Sequence, residues 1–489
     1  MKKTIISICL ALIAVMGLHA ESYTGPIVVK YMGITRTQTV TVTVTEGDNG
    51  LYSLVLDVPV FGTMTMNDVT ASVTQGVTVY SAERYVYNET YGNLRTVLFA
   101  RTINGMMAAN VTLPDKGATM WFNTVGDYFQ MPNSNMEAWG SSNGEPDRWH
   151  GFKTATGTWA FMAPASLGKS EDVHEGSSGQ YSAVVTAKAI GTTIANGTMT
   201  SGRLNAGSMS ATSTDNHASS SADYGDDYYM PLFAKPDQFK VWLKFVEGTP
   251  NAGNKANVSA KTFDGTYYQE PRDKTYTNVS GGILEGEGQI AACDWTQFTF
   301  PINYDNYAAN NAATNGIFVT FSTNVNPGQG SGNDQLFIDE MVLVYLGSMT
   351  DLRYKGVTID SWDSSVNTYS MELTEAPNLD DFTATIEGAS AVLTKSMEQN
   401  ADGSYRIAIS VVSGDLQNAA CYIINVTVKA SPKKGDINGD GTLNVADVTA
   451  LISIILNGEP FDLEIADLTD DNAINVADVT ALIRLILNN

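Results

Sequence analysis

From Tyr23 to about Gly126 apolar and polar residues alternate in short runs: VVKYMG, TQTVTVTVTEGDNGLYSLVLDV, TMTMNDVTASV, VTVYSAERYVYN and RTVLFART. A period of two puts successive side chains on opposite faces of a strand, so Val40, Val42 and Val44 are predicted inward and the interleaved threonines outward. The DNG between two such runs reads as a hairpin turn. Alternation implies one wet face. About 100 residues of antiparallel strand fits a small barrel or sandwich, and closure into a barrel would remove the exposed edges.

Residues 127 to about 348 continue in strands: QYSAVVTAKAI, QFKVWLKFVEG, ANVSAKTF, WTQFTFPIN, GIFVTFST and QLFIDEMVLVYLG, with no helical period between them. Two antiparallel sheets facing one another are the expected solution. Strands recur from Asp351 to about Ser431 in numbers enough for one small sandwich with a spacing role. After the polar linker SPKKG the period changes. LNVADVTALISIILN (443–457) and INVADVTALIRLILN (474–488) are identical at 12 of 15 positions, and each carries a helical apolar face including Leu451 and Ile455 or Leu482 and Ile486. Part of each face must pack against the other copy.

The fold class is therefore mostly β with a small α-helical end. Its 489 residues predict a leader at 1–20, a barrel at 21–126, a large sandwich at 127–348, a small one at 349–431 and the duplicated module at 432–489. In the leader Lys2 and Lys3 precede an apolar run of about 13 residues, too short for a membrane span, and Ala20 offers a cleavage site. Export to the extracellular space or cell surface is expected, with the periplasm as the alternative, and no transmembrane segment is expected in the mature chain. Acidic residues outnumber basic ones by 52 to 28, a net charge of −24. That field repels phosphate backbones, so nucleic acid is excluded as a partner. Beyond the leader stand only Cys293 and Cys421, both expected as small core residues rather than as a disulfide framework.

Oxygen ligands precede each helical repeat at calcium-loop spacing. In the first copy Asp436, Asn438 and Asp440 take positions 1, 3 and 5, Thr442 offers its carbonyl, and Asn444 and Asp447 take positions 9 and 12. In the second the same places hold Asp467, Thr469, Asp471, Ala473, Asn475 and Asp478. Calcium takes six to eight hard oxygens, which such a loop supplies. Thr469 at position 3 and Asn472 in place of Gly441 predict a weaker second site.

Elsewhere the chemistry is sparse. No GxSxG in strand context, HExxH, CxxC or phosphate-cradling glycine loop occurs. Trp139, Trp149 and Trp159 fall within 21 residues, and aromatic rings beside polar donors suit a sugar's apolar face and hydroxyl rim. Trp149, Trp159, Tyr267 and Tyr268 are the candidate carbohydrate-binding residues. One or two of them are expected in the core, and only one of the adjacent tyrosines should reach a groove. His150 is expected as a satisfied core histidine, and His174, among Glu171, Asp172 and Glu175, as part of a charged surface loop.

These motifs carry three principal resemblances. The loop–helix duplication over 435–489 resembles a type I dockerin, which implies calcium and attachment to a cohesin-like protein, with an intramolecular contact as the alternative. Its recognition positions 10 and 11 hold Val445-Ala446 and Val476-Ala477, unlike the Ser/Thr pairs of cellulosomal clostridial examples. The segment 22–126 resembles the calycin-like domains of secreted Bacteroidetes proteins. DRWHGFKTATGTWAFM, KPDQFKVWLKF and NVNPGQGSGNDQLFIDEMVLVY, spanning most of 133–348, resemble the carbohydrate-metabolism domain of such proteins, a jelly roll, and on that resemblance a second calcium is expected near Asp339. Residues 349–431 are similar to immunoglobulin-like or cadherin-like modules. The expected function is calcium-dependent attachment combined with non-catalytic binding of a polysaccharide or oligosaccharide. A glycan-active hydrolase in 127–348 and a structural or adhesive surface protein are the alternatives, and enzyme activity stays an open question.

Overall fold

The computed structural model describes residues 20–488 other than 48, 75, 76, 104, 127, 141, 272–274 and 430–432. The expected leader lies outside the described residues except for Ala20. Eight strands, β1 (Ala20–Tyr31), β2 (Ile34–Glu46), β3 (Tyr52–Val58), β4 (Gly62–Thr74), β5 (Val77–Asn88), β6 (Gly92–Ile103), β7 (Met106–Leu113) and β8 (Ala118–Asn123), form a closed barrel in sequence order. It closes through antiparallel pairing of β1 with β8, Ile27 opposite Phe122. Met32 and Gly33, both at positive φ, make the tight turn from β1 to β2, as the twist of a two-residue hairpin demands. Val40, Val42 and Val44 point into the barrel and are buried with Ile27, Leu54, Met66, Leu98 and Phe122.

One expectation for the barrel fails on β6 and β7. Their outer residues Val97, Phe99 and Ala108 are buried as well, in a second core shared with Trp149, Phe239 and Phe321. These strands have no wet face, because the barrel wall is itself a packing surface. Arg101, 6% exposed, points the same way and donates from its guanidinium to the carbonyls of Gly414 (3.0 Å) and Ser390 (3.3 Å).

That second core fills a sandwich. One sheet has five strands, in the order Cys293–Pro301, Gln238–Val246, Gln335–Val344, Ser182–Thr186 and Leu167–Ser170. The other runs Thr198–Thr200, Gly316–Ser322, Lys255–Phe263 and Val279–Gly282, with Gln289–Ala291 also paired to Lys255–Phe263. Alternation decides what faces inward. Phe239, Val241, Leu243 and Phe245 from one sheet meet Ala256, Val258, Ala260, Val319 and Phe321 from the other. The expectation of two antiparallel sheets face to face holds.

The chain divides into two compact units, and the division cuts through the predicted module 349–431. Segments 384–394 and 410–421 belong with residues up to Leu352 in the first unit, whereas 353–383, 395–409 and 422–489 form the second. In the first unit Val412 and Leu416 enter the sandwich core, and Asn110 of β7 donates to the Leu416 carbonyl at 2.7 Å. In the second, Thr368–Leu373 runs parallel to residues 423–428, and Trp362 packs on Tyr369 and Tyr422. Its C-terminal part carries the helices Val445–Asn457, Leu463–Ala466 and Val476–Asn488. Leu451, Ala466, Val479 and Leu482 form their core. Cys293 and Cys421 are not joined in a disulfide and are half-buried rather than fully in a core.

Candidate functional site

The two duplicated loops close on themselves in the same way. Asp447 and Asp478, the twelfth positions, are completely buried. Each caps its own helix and reaches back to the loop: Asp447 accepts from Asn444 N (2.9 Å) and Asn438 N (3.2 Å), and Asp478 from Asn475 N (2.9 Å) and Thr469 N (3.0 Å). Burial pushes the Asp478 carboxyl up, but these N–H donors and the Thr469 hydroxyl outweigh it and hold it below the usual carboxylate range. Asp436 and Asp467, the first positions, accept from Gly441 N and Asn472 N. Gly441 (φ 84°) and Asn472 (φ 61°) take the same left-handed turn, which asparagine tolerates better than most residues.

Oxygens remain that the chain does not satisfy. The Oδ1 of Asp436 is buried without a hydrogen-bond partner, and carboxylate oxygens of Asp467, Asp471 and Asp478 lie within 4.8 Å of one another. Carboxylates gathered this way repel one another and lose solvation unless a cation is among them. The donor set fits calcium: hard oxygens at alternate positions of a tight loop.

The second site lies on the outer face of the sheet containing Gly316–Ser322 and Lys255–Phe263. Because Ala256, Val258 and Ala260 face the core, Asn257, Ser259 and Lys261 must face out, and with Thr320, Ser322 and Thr198 they floor a cavity of about 1180 Å³. Its walls include Trp159, Met162, Met209, Tyr276 and Tyr307. Tyr268 also lines it from a buried position and donates to Glu270 at 2.8 Å, while Glu285 is the other carboxylate in the wall.

The four aromatic candidates separate. Trp159 lines the cavity and stacks on exposed Phe161. Tyr268 borders it but is 1% exposed within a cluster with Phe263, Tyr276 and Phe318, so its ring is closed to a sugar and it serves the core. Tyr267 faces the other way, 38% exposed, and donates to Gln269 at 2.7 Å. Trp149 is fully buried in the sandwich core, its Nε1 donating to the Pro132 carbonyl at 3.1 Å. A ring closed off from solvent cannot stack on a sugar, so Trp149 leaves the list of binding candidates. His150 is buried between the Asp227 carbonyl (2.5 Å) and the Tyr228 ring, with its Nδ1 3.8 Å from the Glu145 carboxylate and outside hydrogen-bond distance.

His174 corrects the sequence reading. It is 4% exposed, stacks on Trp242 with centroids 4.1 Å apart, and its Nε2 lies 3.0 Å from Glu340. The reason is a bulge. Pairing shifts between Lys240↔Val342 and Trp242↔Asp339, leaving an extra residue in the strand Gln335–Val344, with Glu340 at φ 41°. Glu340 then reaches Ser178 N (2.8 Å) and His174, anchoring the loop that the local charge pattern made look like open surface. Asp339, 0% exposed, accepts from Glu340 N (2.9 Å) and Ser177 Oγ (3.3 Å). Burial pushes its carboxyl up to about 6. Among the described residues the convergent acidic group with metal geometry is Asp467, Asp471 and Asp478, and Asp339 belongs to no such group.

Residues 434–487 match the Dockerin type I domain family. The chain thus carries a C-terminal dockerin domain, a calcium-binding attachment module that implies a cohesin-type partner. No curated protein matches the chain. Among solved structures it is similar to a candidate glycoside hydrolase from Bacteroides thetaiotaomicron, at 14% identity and a TM-score of 0.32, covering 60% of this chain and 86% of that one. It is also similar to carbohydrate-binding modules of the β-sandwich superfamily (10%, 0.22, covering 56% and 97%) and to a candidate outer membrane protein from Bacteroides fragilis (12%, 0.19, covering 62% and 96%). Scores this low transfer no function. Among the described residues no helix is long and apolar enough to cross a membrane.

Proposed function

We propose that this is an exported protein that binds a polysaccharide or oligosaccharide in the sandwich groove and is attached through its dockerin to a cohesin-type protein outside the cell. The observation that carries the glycan reading is the groove itself: a large open cavity with a hydroxyl and amide floor and Trp159 and tyrosines in its walls. Sugars need both, because ring faces stack on aromatics while hydroxyls demand donors and acceptors. On this reading the barrel is calycin-like and residues 127–348 a jelly roll. The twelve loop residues from Asp436 to Asp447 and from Asp467 to Asp478 named above hold two calcium ions. Glu270 and Glu285 share the groove, so a hydrolase is the alternative to be tested on the same protein.

Glycan-array screening of the full chain followed by thermal melts tests the proposal. Trp159→Ala is expected to weaken glycan binding with melting nearly unchanged, whereas Trp149→Ala costs about 3–5 kcal/mol of stability. If no glycan is retained, or if Trp159→Ala loses binding only by unfolding, the structural or adhesive reading takes its place. Release of reducing ends that Glu270→Gln or Glu285→Gln abolishes would make the protein a hydrolase instead.

A further inference from the structure

The floor of the groove is ordered at a finer level than a polar surface requires. Strand registers place Thr198 opposite Ser322, Ser322 opposite Asn257, and Asn257 opposite Gln289. These four side chains, each from a different strand, form one row across the sheet, and all four line the groove. Thr320 and Ser259, paired in the same sheet, begin a second row beside it. Neighbouring strands lie about 4.8 Å apart, so the first row spans roughly 14 Å. Among the described residues, the side chains of Asn257, Ser259 and Gln289 make no hydrogen bond. They are half-buried or exposed, free to take a ligand.

The charge in the groove is equally specific. Among the described residues Lys261 is the only lysine or arginine in the lining, and its ammonium is already engaged by the Ile283 carbonyl and, at 3.1 Å, the Tyr307 hydroxyl. Opposing it stand Glu270 and Glu285, on a chain whose net charge is −24. Among the described residues a ligand with a carboxylate or sulfate on each repeat would meet these two like charges and no unengaged lysine or arginine. The rest of the described polar side chains in the lining are amides and hydroxyls, together with the imidazole of His217, which is held by the Thr214 carbonyl at 2.8 Å.

Resting on the glycan reading, we infer that the groove selects a neutral, extended oligosaccharide laid across the strands, with successive sugar units on successive members of the row Thr198, Ser322, Asn257 and Gln289. Hydroxyls and amides at strand spacing supply a donor and an acceptor to each unit, and rejection of anionic polymers comes from the unpaired charge they would bury. A single sugar would touch one member of the row and leave the others to water, so affinity must rise with chain length until the row is filled.

The test is isothermal titration of the full calcium-loaded chain with neutral gluco-, xylo- and manno-oligosaccharides of one to six units, and with polygalacturonate and a sulfated glycan. Affinity for a neutral series is expected to climb over the first three or four units and then level. Asn257→Ala and Gln289→Ala are each expected to weaken the longest member roughly tenfold while barely changing binding of the shortest. Both positions are on the solvent side of the sheet, and an unchanged melt for each variant confirms that the fold is intact. Preference for the anionic polymers, or binding of neutral oligosaccharides with no dependence on length or on either amide, overturns this inference and leaves the glycan reading standing. Absence of binding to every neutral and anionic glycan overturns both.

Discussion

Asp339 shows how one carboxylate can be misread from its neighbours in sequence. QLFIDEMVLVY alternates well enough to place Asp339 or Glu340 on a surface, yet the bulge turns Asp339 into a solvent-free position with a Ser177 hydroxyl and the Glu340 N–H as its donors. Its folded-state pKa of about 6 stands above an ordinary aspartate value, chiefly through lost solvation. The group therefore binds its proton more tightly folded than unfolded. Its stabilising contribution is complete below about pH 4 and is lost as pH rises through about 6. Asp339→Asn removes that titration, so its melting temperature should gain on the parent protein between pH 4 and 6.5 and stay ahead above it. A series of melts without added calcium measures this. If calcium raises the parent melt at pH 7 and the asparagine variant loses that rise, Asp339 is a calcium ligand after all.

At the scale of elements the calcium loops repay comparison because they differ in so few places. Asn472 adopts the left-handed turn of Gly441, so the backbone of the second loop is not what separates them. Position 3 is. Asn438 brings an amide oxygen that also accepts from Asp440 N at 3.0 Å, whereas the Thr469 hydroxyl is turned to Asp478 at 2.9 Å. Calcium titration of the full chain should show two sites with the second weaker, and Thr469→Asn should bring their affinities closer. Asp436→Ala should remove the first site alone. Both helices were legible from the apolar spacing and the repeat, since a helix capped and packed by its own duplicate needs little from elsewhere. The absence of a wet face on β6 and β7 was not legible: Val97, Phe99 and Ala108 carry no mark of the surface they pack against.

For the whole molecule, ten acidic side chains and one arginine in residues 435–489 oppose compaction of the dockerin, and calcium is expected to offset this and couple its binding energy to folding. The first unit has its own extensive apolar cores. Chelation of calcium is therefore expected to abolish the transition of the C-terminal helices in calorimetry and to leave the main β transition in place. A main transition that shifts by more than a few degrees would show that a cation also supports the sandwich or barrel.

The sequence by itself determined the strand-rich character, the inward valines of the barrel, the paired sheets, the duplicated calcium loops and their helices, because each depends on periodicity or spacing within a few dozen residues. Only the tertiary structure decided which aromatics are available and where the groove lies. Trp149 and Trp159 share a local context of glycine and polar residues, and one is sealed into the core while the other faces solvent. The row from Thr198 to Gln289 joins residues 91 positions apart with Ser322 between them in space. Its polarity is readable in each strand, but its alignment arises from the register of the sheet, and register is fixed by the packing of the whole sandwich.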